Sequence, residues 1–128
     1  MIPNQLQEEV ASLKKAGYQI QLLEAGDKVY VKFKDFPLPL GYNISKTDLL
    51  IFTSVAYPSA AFDMFWVNQE LLLEDNRIPK AAEHIESHLE SLWRRFSIHP
   101  YQQKPWNPSE DSLEGYLTYI VKRLNHLV

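Results

Sequence analysis

Cysteine is missing altogether from the 128 residues, which excludes a disulfide framework, a thiolate zinc site and any thiol nucleophile. Long apolar runs are missing too, since none approaches the roughly 18 residues that a membrane span requires. The opening Met1-Ile2-Pro3-Asn4-Gln5 has neither a basic n-region nor an apolar h-region, so a soluble, cytoplasmic chain is expected. Positive charge is in short supply: 13 Lys and Arg against 16 Asp and Glu give a net charge of −3. The basic residues are scattered and form no stripe able to neutralise a row of phosphates, so nucleic acid is not an expected partner. Repeats, low-complexity tracts and Gly/Ser linkers are also absent.

What is present is material for a core. Hydrophobic residues make up 45% of the chain, with three Trp, seven Tyr and six Phe. Such a chain has enough apolar surface for one well-packed interior and is too short for two ordinary domains, so residues 1–128 are expected to form one domain. Pro37, Pro39, Pro58, Pro79, Pro100, Pro105 and Pro108 mark loops between short elements.

From Asn4 to Ala16 the apolar Leu6, Val10 and Leu13 fall at helical spacing. Glu8 and Glu9 sit early, Lys14 and Lys15 late, and Gly17 follows as a stop, which predicts an amphipathic first helix. Tyr18 to Leu22 alternates, Gly26 and Asp27 supply a turn, and Val29, Val31 and Phe33 alternate with polar or exposed neighbours, which predicts two antiparallel strands. Phe36 to Gly41 carries two prolines that cannot donate to a ladder, so the chain is expected to cross over before a third strand at Asp48–Thr53. Met64-Phe65-Trp66-Val67 suits a fourth strand. Between Lys80 and Phe96, the residues Ala82, Ile85, Leu89, Leu92, Trp93 and Phe96 keep helical spacing. Leu92, Phe96 and Ile98 suit a strand equally well, and we read helix first with an extended end reaching His99. Asn107 as cap, Pro108 in the first turn and a stripe from Leu113 to Leu127 predict a C-terminal helix of about 18 residues.

Tyr57-Pro58 followed by small residues and Phe65-Trp66-Val67, then Trp106-Asn107-Pro108, resemble the corresponding turn, strand and tryptophan-x-proline of the ubiquitin-conjugating-enzyme (UBC-like) fold. Trp93 to His99 and Asp111 to Leu117 are similar to a bacterial branch of that superfamily, prokaryotic family E. The resemblance covers roughly residues 36 to 124 and implies an α+β fold: an N-terminal helix, a four-stranded antiparallel meander, an irregular segment bearing the reactive centre, and a C-terminal helix. It also implies a ubiquitin-like protein and an adenylating activating enzyme as partners, often a metal-dependent peptidase nearby, and no cofactor. The first helix, locally basic at Lys14 and Lys15, is the surface such a fold offers to the activating enzyme.

The departures from the family pattern bear on chemistry. The histidine-proline-asparagine triplet is replaced by Val67-Asn68-Gln69-Glu70, and the usual cysteine position, counted back from Trp106, falls on Ile98. Ser97 and His99 flank it. On an extended segment their i, i+2 spacing puts both on one face, where His99 can deprotonate Ser97 as an acyl acceptor. Neighbours on one strand face stand about 6 to 7 Å apart, however, while a Ser-His hydrogen bond needs roughly 3 Å, so a structural Ser-His pair is the competing reading. Arg94 and Arg95 are candidates for a modifier's carboxylate tail, against the alternative of a solvated surface. Trp106 and Asn107 complete the candidate binding set, with Trp66 and Trp106 read as core residues. His84 and His88 have metal-ligand spacing on a helix, but Ile85 stands where a zinc peptidase carries its general base, and no metal is expected. A free-standing Ser-His hydrolase lacks a Gly-rich nucleophile elbow and an evident acid partner. Two functions remain open: a cysteine-less conjugating-enzyme-like protein that transfers or holds a modifier's C-terminus, and a noncatalytic adaptor for the modifier or its activating enzyme.

Overall fold

The computed structural model describes residues 1–128. Helix α1 spans Asn4–Lys15 and buries Leu6, Val10 and Leu13. It ends at Gly17, whose φ of 109° suits a residue without Cβ. Two main-chain bonds close the helix there, Gly17 N–H to Lys14 O at 3.0 Å and Tyr18 N–H to Leu13 O at 3.2 Å, the paired bonds of a Schellman stop.

Strands β1 (Gln19–Ala25), β2 (Lys28–Pro37), β3 (Lys46–Ser54) and β4 (Phe65–Asn68) follow in meander order, each antiparallel to the next. The expected four strands are therefore present, but the sheet has six. The added pair is β5 (His84–His88) and β6 (Ser91–Phe96), and the order across the sheet is β1-β2-β3-β4-β6-β5. This corrects the helix expected from Lys80. β6 lies against β4 with Phe65 opposite Phe96 and Val67 opposite Arg94, so residues that read as a helical stripe satisfy a ladder instead. Ile85 and Leu92, which the helix would have buried, are 40% and 53% exposed. Nonlocal pairing has overridden local periodicity.

Strand β2 also runs further than expected, to Pro37 opposite Lys46. The proline is tolerated because it sits at the strand end. A register shift between Phe33 and Phe36, with Asp35 at φ 53°, is a bulge that turns both rings into the core, although three residues apart they would otherwise face opposite ways.

Helix α2 spans Leu113–Leu124, 12 residues rather than about 18, and its cap is Ser112, whose Oγ accepts from Gly115 N–H at 3.1 Å. Asn107 and Pro108 lie before the helix in a turn of their own, with Asn107 Oδ1 accepting from Ser109 N–H and Asn107 N–H donating to Asp111 Oδ2. Glu9 of α1 supplies a second cap, because its Oε1 accepts from Leu113 N–H at 2.8 Å and from the Tyr57 hydroxyl at 2.7 Å. One carboxylate thus ties together both helices and the Tyr57-Pro58 turn, whose peptide bond is cis.

Both helices pack on one face of the sheet over a core that includes Leu6, Phe33, Ile51, Phe65, Phe96 and Tyr116. The other face carries a smaller cluster of Tyr30, Leu50, Trp66 and Trp93. β2 and β5 have three strands between them, yet the Tyr30 hydroxyl lies 3.0 Å from His88 Nδ1, so the sheet curls around Trp66. No helix is long and apolar enough to cross a membrane.

Candidate functional site

The segment that leaves β6 is held from both sides. Ser97 N–H donates to Ala81 O at 3.0 Å, and Ile98 O accepts from Met64 N–H at 3.0 Å, so Ile98 extends the β4–β6 pairing past the end of β6 and packs against the core. A short 3-10 turn, Pro100–Gln102, then leads to Trp106. The Trp106 indole donates to Pro58 O at 2.7 Å and its ring stands edge-on to Tyr101, with centroids 5.0 Å apart. Trp106 is partly buried, in contrast with Trp66, which is 1% exposed in the smaller cluster. Below this layer the Tyr116 hydroxyl donates to Met64 O at 2.6 Å, and burial, followed by the charge of Asp63, holds it well above the ordinary tyrosine range.

Ser97 and His99 do not hydrogen-bond to each other. Ser97 Oγ accepts from Arg95 Nε at 3.3 Å. His99 Nδ1 lies 3.0 Å from both carboxylate oxygens of Asp63. An ionised carboxylate can only accept, so Nδ1 carries the proton and Nε2 is left free. Asp63 sits directly before Met64, whose φ of 60° is a left-handed conformation for a non-glycine residue. Nothing in the sequence marks Asp63 as a partner of His99, because 36 residues separate them.

The two arginines differ. Arg94 is 8% exposed and gives its guanidinium to main-chain carbonyls, Nη1 to Ala82 O at 2.7 Å and Nε and Nη2 to Gln69 O at 3.2 and 3.0 Å. Its donors are committed inward, and burial lowers its pKa. Arg95 pairs with Glu86 on the concave face, Nη1 to Oε2 at 2.6 Å. Glu86 also accepts from Trp66 Nε1 at 3.0 Å and faces His88 Nε2 at 3.1 Å. Burial opposes its charge, but the hydrogen bonds from His88 and Trp66 and the charge of Arg95 outweigh that and pull its carboxyl below the ordinary value. Both nitrogens of His88 are engaged in this network, whereas His84 is exposed at the start of β5. Asn68, in the stretch that replaces the missing triplet, is a structural tie: its Oδ1 accepts from Thr47 Oγ1 and Asp48 N–H.

Beside Ile98 a cleft of about 430 Å³ opens between the 3-10 turn and the end of α2, with Ile98, His99, Gln103, Tyr119, Lys122, Arg123 and His126 in its lining. Tyr119 and Lys122 share a face of α2 by their i, i+3 spacing, a signal legible in the sequence, whereas His126 comes to the cleft from the turn that follows the helix.

No curated protein and no solved structure matches the chain. The family model described as prokaryotic E2 family E matches residues 6–127, nearly the whole chain and well beyond the segment that carried the resemblance, so the chain belongs to the prokaryotic E2 family E, an E2-like family of bacterial ubiquitin-like modification pathways.

Proposed function

We propose that this chain serves a ubiquitin-like modifier pathway as a noncatalytic partner, holding the modifier's C-terminal tail or its adenylating activating enzyme without forming a thioester. The observation that carries the reading is the separate engagement of the two side chains flanking Ile98. Ser97 Oγ rests on Arg95 and His99 Nδ1 rests on Asp63, so no nucleophile stands paired with a base where the cysteine would be.

A second reading is favoured by one contact. The Arg95 guanidinium that donates to Ser97 Oγ stabilises negative charge on that oxygen, and Ser97 would then attack the modifier's C-terminal acyl adenylate, forming an oxyester as the acyl–phosphate bond breaks and AMP leaves, with the hydroxyl proton passing through one water to His99 Nε2. One experiment separates the two. The chain is incubated with a candidate modifier, its activating enzyme and ATP, and adducts are challenged with thiol reductant and with hydroxylamine. The noncatalytic reading expects tight binding and no covalent adduct. A reductant-resistant, hydroxylamine-sensitive adduct that Ser97→Ala abolishes would replace it with the oxyester reading, and absence of binding to either protein would refute both.

A further inference from the structure

The cleft at the end of α2 has a charge pattern that neither reading uses. In a chain with net charge −3, its lining contains Lys122, Arg123, His99 and His126 and no carboxylate. Arg123 is the anchor. Its Nη1 and Nη2 donate to His126 O and Lys80 O, both at 2.7 Å, and it lies 4.9 Å from the Phe96 ring centre. Carbonyls and a ring face orient a guanidinium but do not neutralise it, and no carboxylate lies within ion-pair distance of Arg123, so a fixed positive charge remains at a partly desolvated site. Around it stand donors that no protein group satisfies: the Lys122 ammonium, the Gln103 amide, the Tyr119 hydroxyl and the His126 ring take part in no hydrogen bond. Asp63, which is not among the lining residues, holds the His99 ring by Nδ1 and leaves Nε2 free.

We infer that this cleft is a binding site for a small oxyanion, with Lys122, His126, Gln103 and Tyr119 as its donors and Arg123 as a fixed background charge. A carboxylate at the end of a protein tail and a phosphate monoester share that chemistry, and the cleft has room for either with its attached group. The competing account is that Lys122 and Arg123 occupy the last turn only because cations are favourable at a helix C-terminus. That account requires no ligand.

The test uses the full chain, labelled with ¹⁵N, titrated with N-acetylglycine and with phenyl phosphate, and with N-acetylglycinamide and phenol as neutral counterparts. The expected result is a saturable shift of the Gln103 side-chain amide and the His126 ring with at least one anion and none with the neutral compounds. A response to N-acetylglycine alone assigns the site to a protein C-terminus, and a response to phenyl phosphate alone assigns it to a phosphorylated group. Lys122→Gln and His126→Gln, both at exposed positions, should each weaken binding about tenfold while the chain stays folded, with only a small drop in thermal stability for the lost last-turn cation at Lys122. Equal shifts with the neutral compounds, no saturable response to either anion, or affinity unchanged in both variants would overturn the proposal.

Discussion

Trp106 joins stretches 48 residues apart, because its indole N–H reaches Pro58 O while its ring leans on Tyr101 and Tyr57. These two contributions are separable. Trp106→Phe keeps an aromatic face and drops the donor, leaving Pro58 O to water, and should destabilise by about 1 kcal/mol. Trp106→Ala also removes the ring, and since the residue is only partly buried the loss should fall at the lower edge of the ~3–5 kcal/mol typical of large aromatic truncations. Urea denaturation of the three proteins checks the order. A phenylalanine variant as unstable as the alanine variant would mean that the hydrogen bond, not the packing, fixes this turn. Arg94 shows a different economy at the same scale: a buried cation satisfied by three donations to main-chain carbonyls, and therefore a brace for the Gln69 and Ala82 turns.

Among the elements, legibility in the sequence follows the range of the interactions. α1 with its glycine stop, the β1–β2 hairpin and β3 are written locally, in period and turn residues, and the structure agrees with them. The β5–β6 hairpin is not, because its two-residue turn is Leu89-Glu90, with φ of 53° and 63°, where glycine, asparagine or aspartate is the usual signal. The start of α2 was obscured in the opposite sense: Asn107-Pro108 is a complete helix-start signal, but Asn107 spends its side chain on Ser109 and the helix begins at Ser112. At the candidate site Ser97 and His99 can be picked out by counting back from Trp106, whereas their partners Arg95 and Asp63 depend on tertiary placement. The hairpin turn gives a test. Glu90 is exposed and pays for a left-handed conformation that glycine adopts freely, so Glu90→Gly should stabilise the protein by about 1 kcal/mol. Were residues 80–96 helical, the same change would destabilise by about 1 kcal/mol. The sign of the shift in the denaturation midpoint decides between them.

Over the whole molecule, the curl of the sheet depends on a polar network set among aromatic rings. The Tyr30 hydroxyl meets His88 across three strands, His88 meets Glu86, and Glu86 holds both the Trp66 indole and Arg95. Trp66 is stacked on Phe52 at 5.0 Å and stands edge-on to His88, so the network closes the concave face over an apolar floor. Glu86 is the acceptor for His88, Trp66 and Arg95, and its carboxyl is held below the ordinary value of 4.5. A carboxyl whose folded-state pKa is depressed stabilises the native state above its unfolded-state pKa and loses that contribution as pH falls through the lower, folded-state value. Glu86→Gln removes the ionisation while keeping the shape. The melting temperature of the wild type should therefore exceed that of Glu86→Gln at about pH 5 and above, and the margin should shrink steadily below about pH 4. Thermal unfolding of both proteins across that range is the measurement. A margin that persists undiminished into strong acid would show that the charge on Glu86 does not hold the curled sheet, and that the hydrogen bonds to Trp66 and His88 suffice without it.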